Sequence, residues 1–386
     1  MADSTNRRTR GTGSIRKRKA ATAKPWEARY RGPDGRSHSK TFARKTDAEK
    51  WLRREIGKVE RAEWTDPRAG RTTVAEVAET WFAGVQARDT KPKTVAGYRN
   101  LLDSRVLPVF GDYELRHVTS KAVREWLEEM AREGLSGARA RAALQVLGAV
   151  MRRAVKDELI PRNPIDKLDA TDKPTVRRRR QLFINDFEVK ALADAAAERH
   201  DGAGMLIRFF AYSGCRWGEA TALRVGDIEA NGSGKAKVHV ERAYSDVRGK
   251  LVLGEPKTHE RRVVILPAWV SRMMFDHIEG KSADELVFTT PTGRPLRSSN
   301  FRRAVWAPAC EASKMPEGLM IHDLRDTAAS LATRSGAPLL AVSRMLGHRD
   351  ASITATTYAS LFDEDLELLA DRWDAATPRE VKGSAG

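Results

Sequence analysis

The stretch Ile321-His322-Asp323-Leu324-Arg325, continued by Leu346-Gly347-His348 and ended by Tyr358, decides the interpretation of this sequence. Its two histidines, one arginine and one tyrosine fall on what the apolar spacing predicts to be three short consecutive helices. A fold does not require this set of side chains, so the set indicates chemistry. An imidazole can move a proton near neutral pH, an arginine fork matches two phosphate oxygens, and a phenol can act as a nucleophile.

The tyrosine sets a condition on the rest of the site. A phenol is a poor nucleophile at its usual pKa of about 10, so Tyr358 needs positive charge around it. Groups that bind a phosphate also stabilise a developing phenolate. The stretch therefore predicts phosphoryl transfer through a tyrosyl-phosphate intermediate, provided that more positive charge comes from upstream.

The bulk composition supports a nucleic-acid partner. The chain has 386 residues, which predicts two or three domains, and 41% of them are hydrophobic, which is enough for real cores. Its net charge is +17, and residues 1–65 hold 19 Lys or Arg against 8 Asp or Glu. A basic arm of this kind is typical of proteins that bind a polyanion, most often nucleic acid, and a solubilising tail is the alternative.

The two cysteines and the absence of long apolar runs indicate the compartment. Cys215 and Cys310 form no CxxC pair, which favours a reducing compartment over a disulfide scaffold or a zinc site. The N-terminus has no signal-peptide core, and no apolar run is long enough for a membrane span. We therefore expect a cytoplasmic protein without a membrane partner.

The N-terminal segment is predicted to be a small basic sheet. Residues 26–31 alternate apolar and charged side chains, Gly32-Pro33-Asp34-Gly35 is a turn signal, and 37–42 is predicted as the returning strand. Residues 14–19 are predicted as a third strand, and a helix follows from about Asp47. A sheet rich in arginine and lysine, braced by one helix, suits a DNA reader. The candidate DNA contacts here are Arg16, Lys17, Arg18, Lys19, Arg29 and Arg31.

A helical bundle and a basic linker follow. Thr73 and Glu76 form a capping box, and further helices are predicted from Thr94, from Thr119 or Ser120, and from Ser136. Their apolar stripes are the core of a four- or five-helix bundle. Its basic residues are solvated charges or DNA contacts, and four consecutive arginines in the linker favour a DNA backbone over a free hinge. The DNA candidates of these two segments are Lys91, Lys93, Arg141, Arg177, Arg178, Arg179 and Arg180.

The last domain supplies the missing positive charge. Asn185 and Glu188 are predicted to cap its first helix. A later apolar helix is broken by Ser213-Gly214, and Cys215-Arg216 starts the next helix, so that Arg216 is held in a fixed place. Strands are predicted at 238–243 and 251–253. They are followed by Pro256-Lys257-Thr258, which places Lys257 on a hairpin turn from which a long side chain can reach a cleft.

These motifs together resemble the catalytic domain of the tyrosine recombinases, the lambda-type phage integrases. The resemblance runs from Ser213-Gly214-Cys215-Arg216 through Pro256-Lys257-Thr258 and the His322 to Arg325 motif to Leu346-Gly347-His348 and Tyr358. It implies that Arg216 and Arg325 bind the non-bridging oxygens of the scissile phosphate, and that His348 donates a hydrogen bond to it.

The resemblance also implies the proton transfers. Tyr358 attacks to give a 3′-phosphotyrosyl link, Lys257 protonates the departing 5′ oxygen, and His322 is a proton acceptor or a phosphate ligand. Lys250 is a second candidate for the role of Lys257, and Glu219 supports the site from behind. No cofactor or metal is expected, because His322 and Asp323 have no cluster of further ligands in the sequence and no phosphate-binding glycine loop occurs.

We therefore predict a site-specific DNA recombinase of the phage-integrase type, and the resemblance implies that it is associated with the nucleoid of a bacterial host. The alternatives are an integrase of a conjugative transposon, a dimer-resolving recombinase and a catalytically silent DNA-binding regulator. The partners implied by the resemblance are double-stranded DNA at core and arm attachment sites, a homotetramer on that DNA, a host DNA-bending protein and a recombination directionality factor. A helix that Asp363 would cap is predicted beyond Tyr358.

The expected architecture is multidomain and mainly α, with small antiparallel sheets. Its predicted parts are a basic arm-site domain with a three-stranded sheet plus a helix (1–65), a helical core-binding bundle (70–168), a basic linker (169–182), a mixed α+β tyrosine-recombinase catalytic domain (183–375) and a disordered tail (376–386).

Overall fold

The protein consists of two compact units, Met1–Arg178 and Arg179–Gly386. No helix in the described part of the chain is long and apolar enough to cross a membrane. The predicted class, mainly helical with small antiparallel sheets, is confirmed. The computed structural model describes residues 13–18, 23–61, 71–176, 179–256, 261–348, 350–362, 371 and 373–374, with the backbone alone for 353 and 358–362.

The N-terminal segment forms the predicted sheet and helix. Three antiparallel strands lie in the order β1-β2-β3. Ala28 and Tyr30 point from the middle strand into a small core with Leu52 of the helix, whereas the alternate residues of that strand carry charge. Gly35 closes the turn between the second and third strands at a φ of 74°, a conformation that glycine adopts without steric cost. The elements are β1 (Ser14–Lys17), β2 (Trp26–Arg31), β3 (Ser37–Phe42) and α1 (Lys45–Glu60).

The rest of the first unit is a helical bundle with its own core. The predicted capping box at its start is confirmed: the Thr73 hydroxyl accepts from the Glu76 backbone N–H, and the Glu76 carboxylate accepts from the Thr73 N–H. Phe110, Leu147 and Met151 are among its fully buried side chains. Its helices are α2 (Val74–Gln86), α3 (Pro92–Leu101), α4 (Leu107–Phe110), α5 (Ser120–Arg132) and α6 (Gly137–Lys156).

The second unit is built around one buried helix, α8, in which ten of the eleven residues are buried. Phe209 and Phe210 of this helix are among the largest fully buried side chains. The predicted capping box of Asn185 and Glu188 opens the first helix of the unit and is confirmed. The helices are α7 (Asp186–Ala197), α8 (Ala203–Ser213), α9 (Trp217–Ala220), α10 (Ala268–Ile278), α11 (Ser298–Phe301), α12 (Ala307–Ala312), α13 (Asp323–Arg334), α14 (Leu339–Leu346) and α15 (Ala351–Phe362).

Two proline-induced distortions interrupt otherwise continuous helices. A π-helical segment joins α3 to α4 over Leu102–Val106, and another joins α11 to α12 over Arg302–Trp306. Pro108 and Pro308 each lie two residues beyond such a segment. A proline has no N–H to donate and crowds the carbonyl four residues earlier, so the preceding turn widens instead of continuing as a regular α-helix.

The strands of the second unit divide between two small antiparallel sheets. One sheet has the order β4-β5-β8, and β6 and β7 form a separate hairpin. The predicted strand 238–243 is wrong at its end, because it is interrupted at 241–242. The flanks of Lys257 also differ from the prediction of one hairpin, since β7 pairs with β6 and β8 pairs with β5. Residues 257–260 themselves lie outside the described residues. Of the helix predicted after Asp363, only 371 and 373–374 are described, and they are helical. The strands are β4 (Ile228–Ala230), β5 (Ala236–Val240), β6 (Ala243–Val247), β7 (Lys250–Gly254) and β8 (Arg262–Ile265).

Candidate active site

Arg216 is fixed by the chain reversal that ends α8. Gly214 has a φ of 63°, which strains any other residue, and a Cβ atom there would lie 2.6 Å from Leu346 Cδ2 and would force that side chain to move. Arg216 then precedes α9, and its backbone N–H donates to Glu219 Oε2 at 2.9 Å. Its Nη1 donates to Glu219 Oε1, also at 2.9 Å. Glu219, which the resemblance implies as a support of the site, therefore contacts Arg216 at two points.

Arg325 ties together the segments that surround Arg216. It lies in the first turn of α13 and is only 3% exposed. Its Nη1 donates to the carbonyl of Gly214 at 2.5 Å, and its Nη2 donates to the carbonyl of Leu346 at 2.6 Å. The guanidinium thus joins the end of α8 to the end of α14, which brings the distant sequence motifs to one place.

Arg262, the first residue of β8, is a third arginine at this place that the sequence analysis missed. Its Nη2 donates to Glu219 Oε2 at 2.7 Å, and its Nε donates to the carbonyl of Met345 at 2.9 Å. Its Nη1 is shielded from solvent and has no hydrogen-bond partner among the described residues. One signal was available in the sequence. Side chains alternate between the two faces of a strand, so Arg262 faces the same side as Val264, which is buried.

Glu219 is the acceptor that organises two of these cations. Its side chain is 1% exposed and lies between Arg216 and Arg262. Burial raises the pKa of the Glu219 carboxyl, but the hydrogen bonds and charges of the two arginines outweigh it, so that its pKa lies below the ordinary value. The carboxylate is therefore charged at neutral pH, as a buried partner of two guanidinium groups must be.

His348 lies in the connection between α14 and α15 and faces the arginines. Its Nδ1 lies 2.8 Å from the hydroxyl oxygen of Thr354. Partial burial and the positive charges of Arg325, Arg216 and Arg262 lower its pKa to about 4. The ring is therefore neutral at physiological pH. If the Thr354 hydroxyl donates to Nδ1, the proton of the neutral ring is on Nε2, which becomes a donor.

His322 occupies the position before α13, three residues ahead of Arg325. Desolvation by neighbouring protein lowers its pKa, Asp326 opposes this, and the charge of Arg325 adds to the lowering. A neutral imidazole at this position can accept a proton near neutral pH.

The two remaining predicted catalytic residues are only partly placed. Tyr358 lies within α15, one helical turn after Thr354, so its backbone is on the face of the helix that contacts His348. Lys257 falls outside the described residues. Lys250, the alternative, is the exposed first residue of β7. In the described segments no group of three or more His, Cys, Asp or Glu could hold a metal ion.

The predicted DNA contacts fall into three groups. On the sheet, the Nε of Arg16 donates to Glu27 at 2.7 Å, the Nε of Arg31 donates to the Gly35 carbonyl at 2.9 Å, and the side chain of Arg29 is 47% exposed. Arg179 has a partner that the sequence did not indicate, because both of its Nη atoms contact the Asp323 carboxylate. The other candidates in the described residues are Lys17, Arg18, Lys91, Lys93, Arg141 and Arg180, whereas Lys19, Arg177 and Arg178 are outside them.

Known protein families and relatives match most of the chain. The phage integrase family matches residues 183–365, the phage integrase N-terminal domain matches 11–61, and the phage integrase central domain matches 74–171. The integrase of Mycobacterium phage D29 is 30% identical over 357 residues, which are 88% of this chain and 91% of that protein.

Two solved structures have a similar fold. A Tn1549 transposon integrase in complex with a circular intermediate DNA has a TM-score of 0.65 and 16% identity, covering 77% of this chain and 99% of that one. A lambda integrase tetramer bound to a Holliday junction has a TM-score of 0.58 and 17% identity, covering 87% of this chain and 96% of that one.

Proposed function

The chain belongs to the phage integrase family, and from this premise we propose how its site cleaves and rejoins DNA as a site-specific tyrosine recombinase. The observation that carries the mechanism is that contacts to Glu219, Gly214 and the end of α14 bring Arg216, Arg325 and Arg262 together beside His348. Their charges add to the lowering of the pKa of His348 by burial. A cluster that keeps an imidazole neutral in this way provides the field that a phosphodiester with developing charge requires.

The phosphate would be bound by fixed donors. Arg216 and Arg325 each supply a guanidinium held by contacts to the protein itself, so little reorganisation is needed when the phosphate arrives. The Nε2–H of neutral His348 donates a further hydrogen bond. Arg262 holds Glu219 and the end of α14 in place and adds positive charge close by.

The covalent step is an in-line displacement. The phenolic oxygen of Tyr358 forms a bond to phosphorus as the bond from phosphorus to the 5′ oxygen breaks. The phenolic proton passes to His322, and the departing 5′ oxygen takes a proton from Lys257. A 5′ hydroxyl then attacks the 3′-phosphotyrosyl link in the reverse sequence, which rejoins a strand and frees Tyr358. The energy of the broken phosphodiester bond is retained in the phosphotyrosyl link, so the reaction does not consume a nucleoside triphosphate.

The remaining parts of the chain would bind the DNA sites. In this proposal residues 1–65 bind arm sites, residues 70–168 and 183–375 hold the core site, 169–182 links them, and 376–386 is a tail. The working assembly is a homotetramer on two duplexes, with a host DNA-bending protein and a directionality factor as partners, in the bacterial cytoplasm. The lambda integrase tetramer bound to a Holliday junction supports this arrangement through its shared fold.

The test traps the intermediate. The protein is incubated with a library of nicked duplexes, and DNA that becomes covalently attached is recovered in detergent and sequenced. We expect adducts through the 3′ phosphate at a defined sequence, unchanged in excess chelator, and none with Tyr358→Phe, which keeps the ring and removes the nucleophilic oxygen. Adducts formed by the Phe variant, attachment through the 5′ end, or loss of adducts in chelator would overturn the mechanism.

A further inference from the structure

Asp323 is a buried carboxylate at the start of the helix that carries Arg325. It is 2% exposed and accepts three hydrogen bonds. Arg179 Nη1 donates to its Oδ1 at 2.7 Å, and Arg179 Nη2 donates to its Oδ2 at 2.7 Å. The backbone N–H of Met320 donates to Oδ2 at 2.7 Å. This parallel, two-bond fork is the strongest geometry that an arginine and a carboxylate form.

The same arginine also holds the loop that leads to His322. Arg179 Nη2 donates to the carbonyl of Gly318, which has a φ of 78°. Arg179 therefore bridges Gly318 on one side of this loop and Asp323 on the other, and His322 lies between them. Without the guanidinium, the buried carboxylate would keep one backbone donor, and the loop would lose the cross-link that sets where His322 stands.

Arg179 also has a particular place in the chain. It is the first residue of the second unit and the third of four consecutive arginines in the segment that joins the two units. Its neighbour Arg180 is exposed. The run thus contains at least one arginine whose guanidinium is engaged with the protein and another whose side chain faces solvent.

We propose that Arg179 is a positioning residue that couples the interdomain linker to the catalytic site through Asp323. Its fork keeps His322 and Arg325 at their working positions only while the linker enters the second unit along this path. A linker displaced from this path pulls the guanidinium from Asp323 and loosens the loop that carries His322. This inference rests on the proposed function, since it concerns the rate of DNA cleavage at that site.

The structure offers a matched control in Arg297. Its side chain is 39% exposed, the same as that of Arg179. It too contacts an aspartate, Asp246, and donates to a glycine carbonyl, that of Gly249 at 2.8 Å. Arg297 therefore matches Arg179 in its own exposure and in the types of its partners, but Asp246 is 48% exposed where Asp323 is 3% exposed, and the contacts of Arg297 lie in the β6–β7 hairpin.

The experiment measures single-turnover cleavage of a nicked core-site duplex at saturating protein, together with DNA affinity as a function of salt. We expect Arg179→Gln to cleave at least tenfold more slowly, with unchanged affinity and salt dependence, and Arg179→Lys to be intermediate because it cannot form the fork. Arg297→Gln should cleave like wild type. Arg180→Gln should bind more weakly and reduce the salt slope by about one.

A double-mutant cycle separates coupling from general damage. If Arg179 acts through Asp323, Arg179→Gln combined with Asp323→Asn should cleave no more slowly than the slower single variant. Multiplied losses, or a defect of Arg179→Gln confined to affinity, would overturn the coupling. Equal losses in Arg179→Gln and Arg297→Gln would overturn it too. A wild-type protein that forms no adduct would instead refute the proposed function.

Discussion

The N-terminal sheet and the catalytic site each contain one buried glutamate that holds two arginines, but the arginines of the sheet are exposed to solvent, whereas those of the catalytic unit are largely shielded from it. On the sheet, Arg16 Nε lies 2.7 Å from Glu27, and Arg29 Nη2 lies 3.5 Å from it. The side chains of these arginines are 67% and 47% exposed. Their contacts with Glu27 are therefore screened by water and salt, and both guanidinium groups remain accessible to a DNA phosphate or base.

In the catalytic unit, Arg216 and Arg262 lie 2.9 and 2.7 Å from Glu219, and the surroundings of the group differ. The Arg216 and Arg262 side chains are 21% and 7% exposed, and the Glu219 side chain is 1% exposed. Charges at this depth interact strongly and cannot rearrange without cost. One glutamate with two arginines therefore provides adaptable, salt-sensitive affinity for DNA at the surface, and the same combination of residue types provides a fixed electrostatic field in the catalytic site.

Deleting residues 1–65 gives the largest expected effect and tests whether the two regions act independently. Integration that depends on arm sites should be abolished, because this segment supplies a large part of the salt-sensitive attraction to DNA. Cleavage of an isolated core site should persist, since the arginines around His348 all belong to the second unit. Recombination of matched substrates with and without arm sites measures both. Normal arm-dependent integration by the truncated protein would contradict the separate role of residues 1–65 in binding arm sites.

Conservative changes of the phosphate-binding arginines should produce the next largest effect. Arg216→Lys and Arg325→Lys keep the charge but lose the planar fork, and each should reduce the cleavage rate about a hundredfold, corresponding to about 3 kcal/mol. Single-turnover adduct formation at saturating protein is the measurement. Arg29→Lys on the exposed sheet is the matched change, and it should leave core-site cleavage unaltered. A near-normal rate for either catalytic variant would make that arginine peripheral.

Removing an arginine should lower the free energy of unfolding more at Glu219, where the arginines are shielded, than at Glu27, where they are exposed. Arg262→Met leaves Glu219 buried with one cation fewer, and we expect it to lower the free energy of unfolding by about 3 kcal/mol. Arg16→Gln breaks a pair whose arginine is 67% exposed and leaves Arg29 beside Glu27, so it should cost less than about 1 kcal/mol. Denaturant unfolding of each variant beside wild type measures this difference. Equal losses of stability in the two variants would show that burial of the arginine does not determine how much the contact contributes. Glu219→Gln combined with Arg262→Met should recover part of the stability but not the cleavage rate.

The smallest expected effect is a pH dependence centred on His348. Its pKa is lowered from 6.5 to about 4 in the folded protein. As pH falls from 6.5 towards 4, the unfolded chain therefore takes up a proton that the folded chain does not, and stability declines across that window. His348→Gln should lack this component. An NMR titration of the ring should give a higher pKa in Arg262→Met, because one lowering charge is gone; an unchanged pKa would contradict the assigned cause.

Local rules made much of the fold predictable. The capping boxes at Thr73 and Asn185 and the glycine break at Gly214 were correctly predicted, because each depends on residues within one turn of the chain. The partition of β7 and β8 between two sheets was not, since strand pairing is set by distant partners. The prediction of one hairpin around Lys257 was wrong about its flanking strands for that reason.

The site shows the same division between local and distant information. Arg216, Arg325 and His348 carry recognisable motifs, and the structure brings them together. Arg262 was missed because its meaning depends on Glu219, 43 residues earlier, and on the carbonyl of Met345. The contact of Arg179 with Asp323 spans 144 residues, so a run of arginines in the sequence could not reveal which member is engaged internally.

The hydrogen bond between His348 and Thr354 has a consequence for how a subunit could be silenced. Thr354 and Tyr358 are one turn apart on the same face of α15. A displacement of α15 would therefore move the nucleophile and the hydrogen-bond partner of His348 together. One displacement would then remove both the nucleophile and the partner of His348 from the site. Cleavage of DNA would require both to return together.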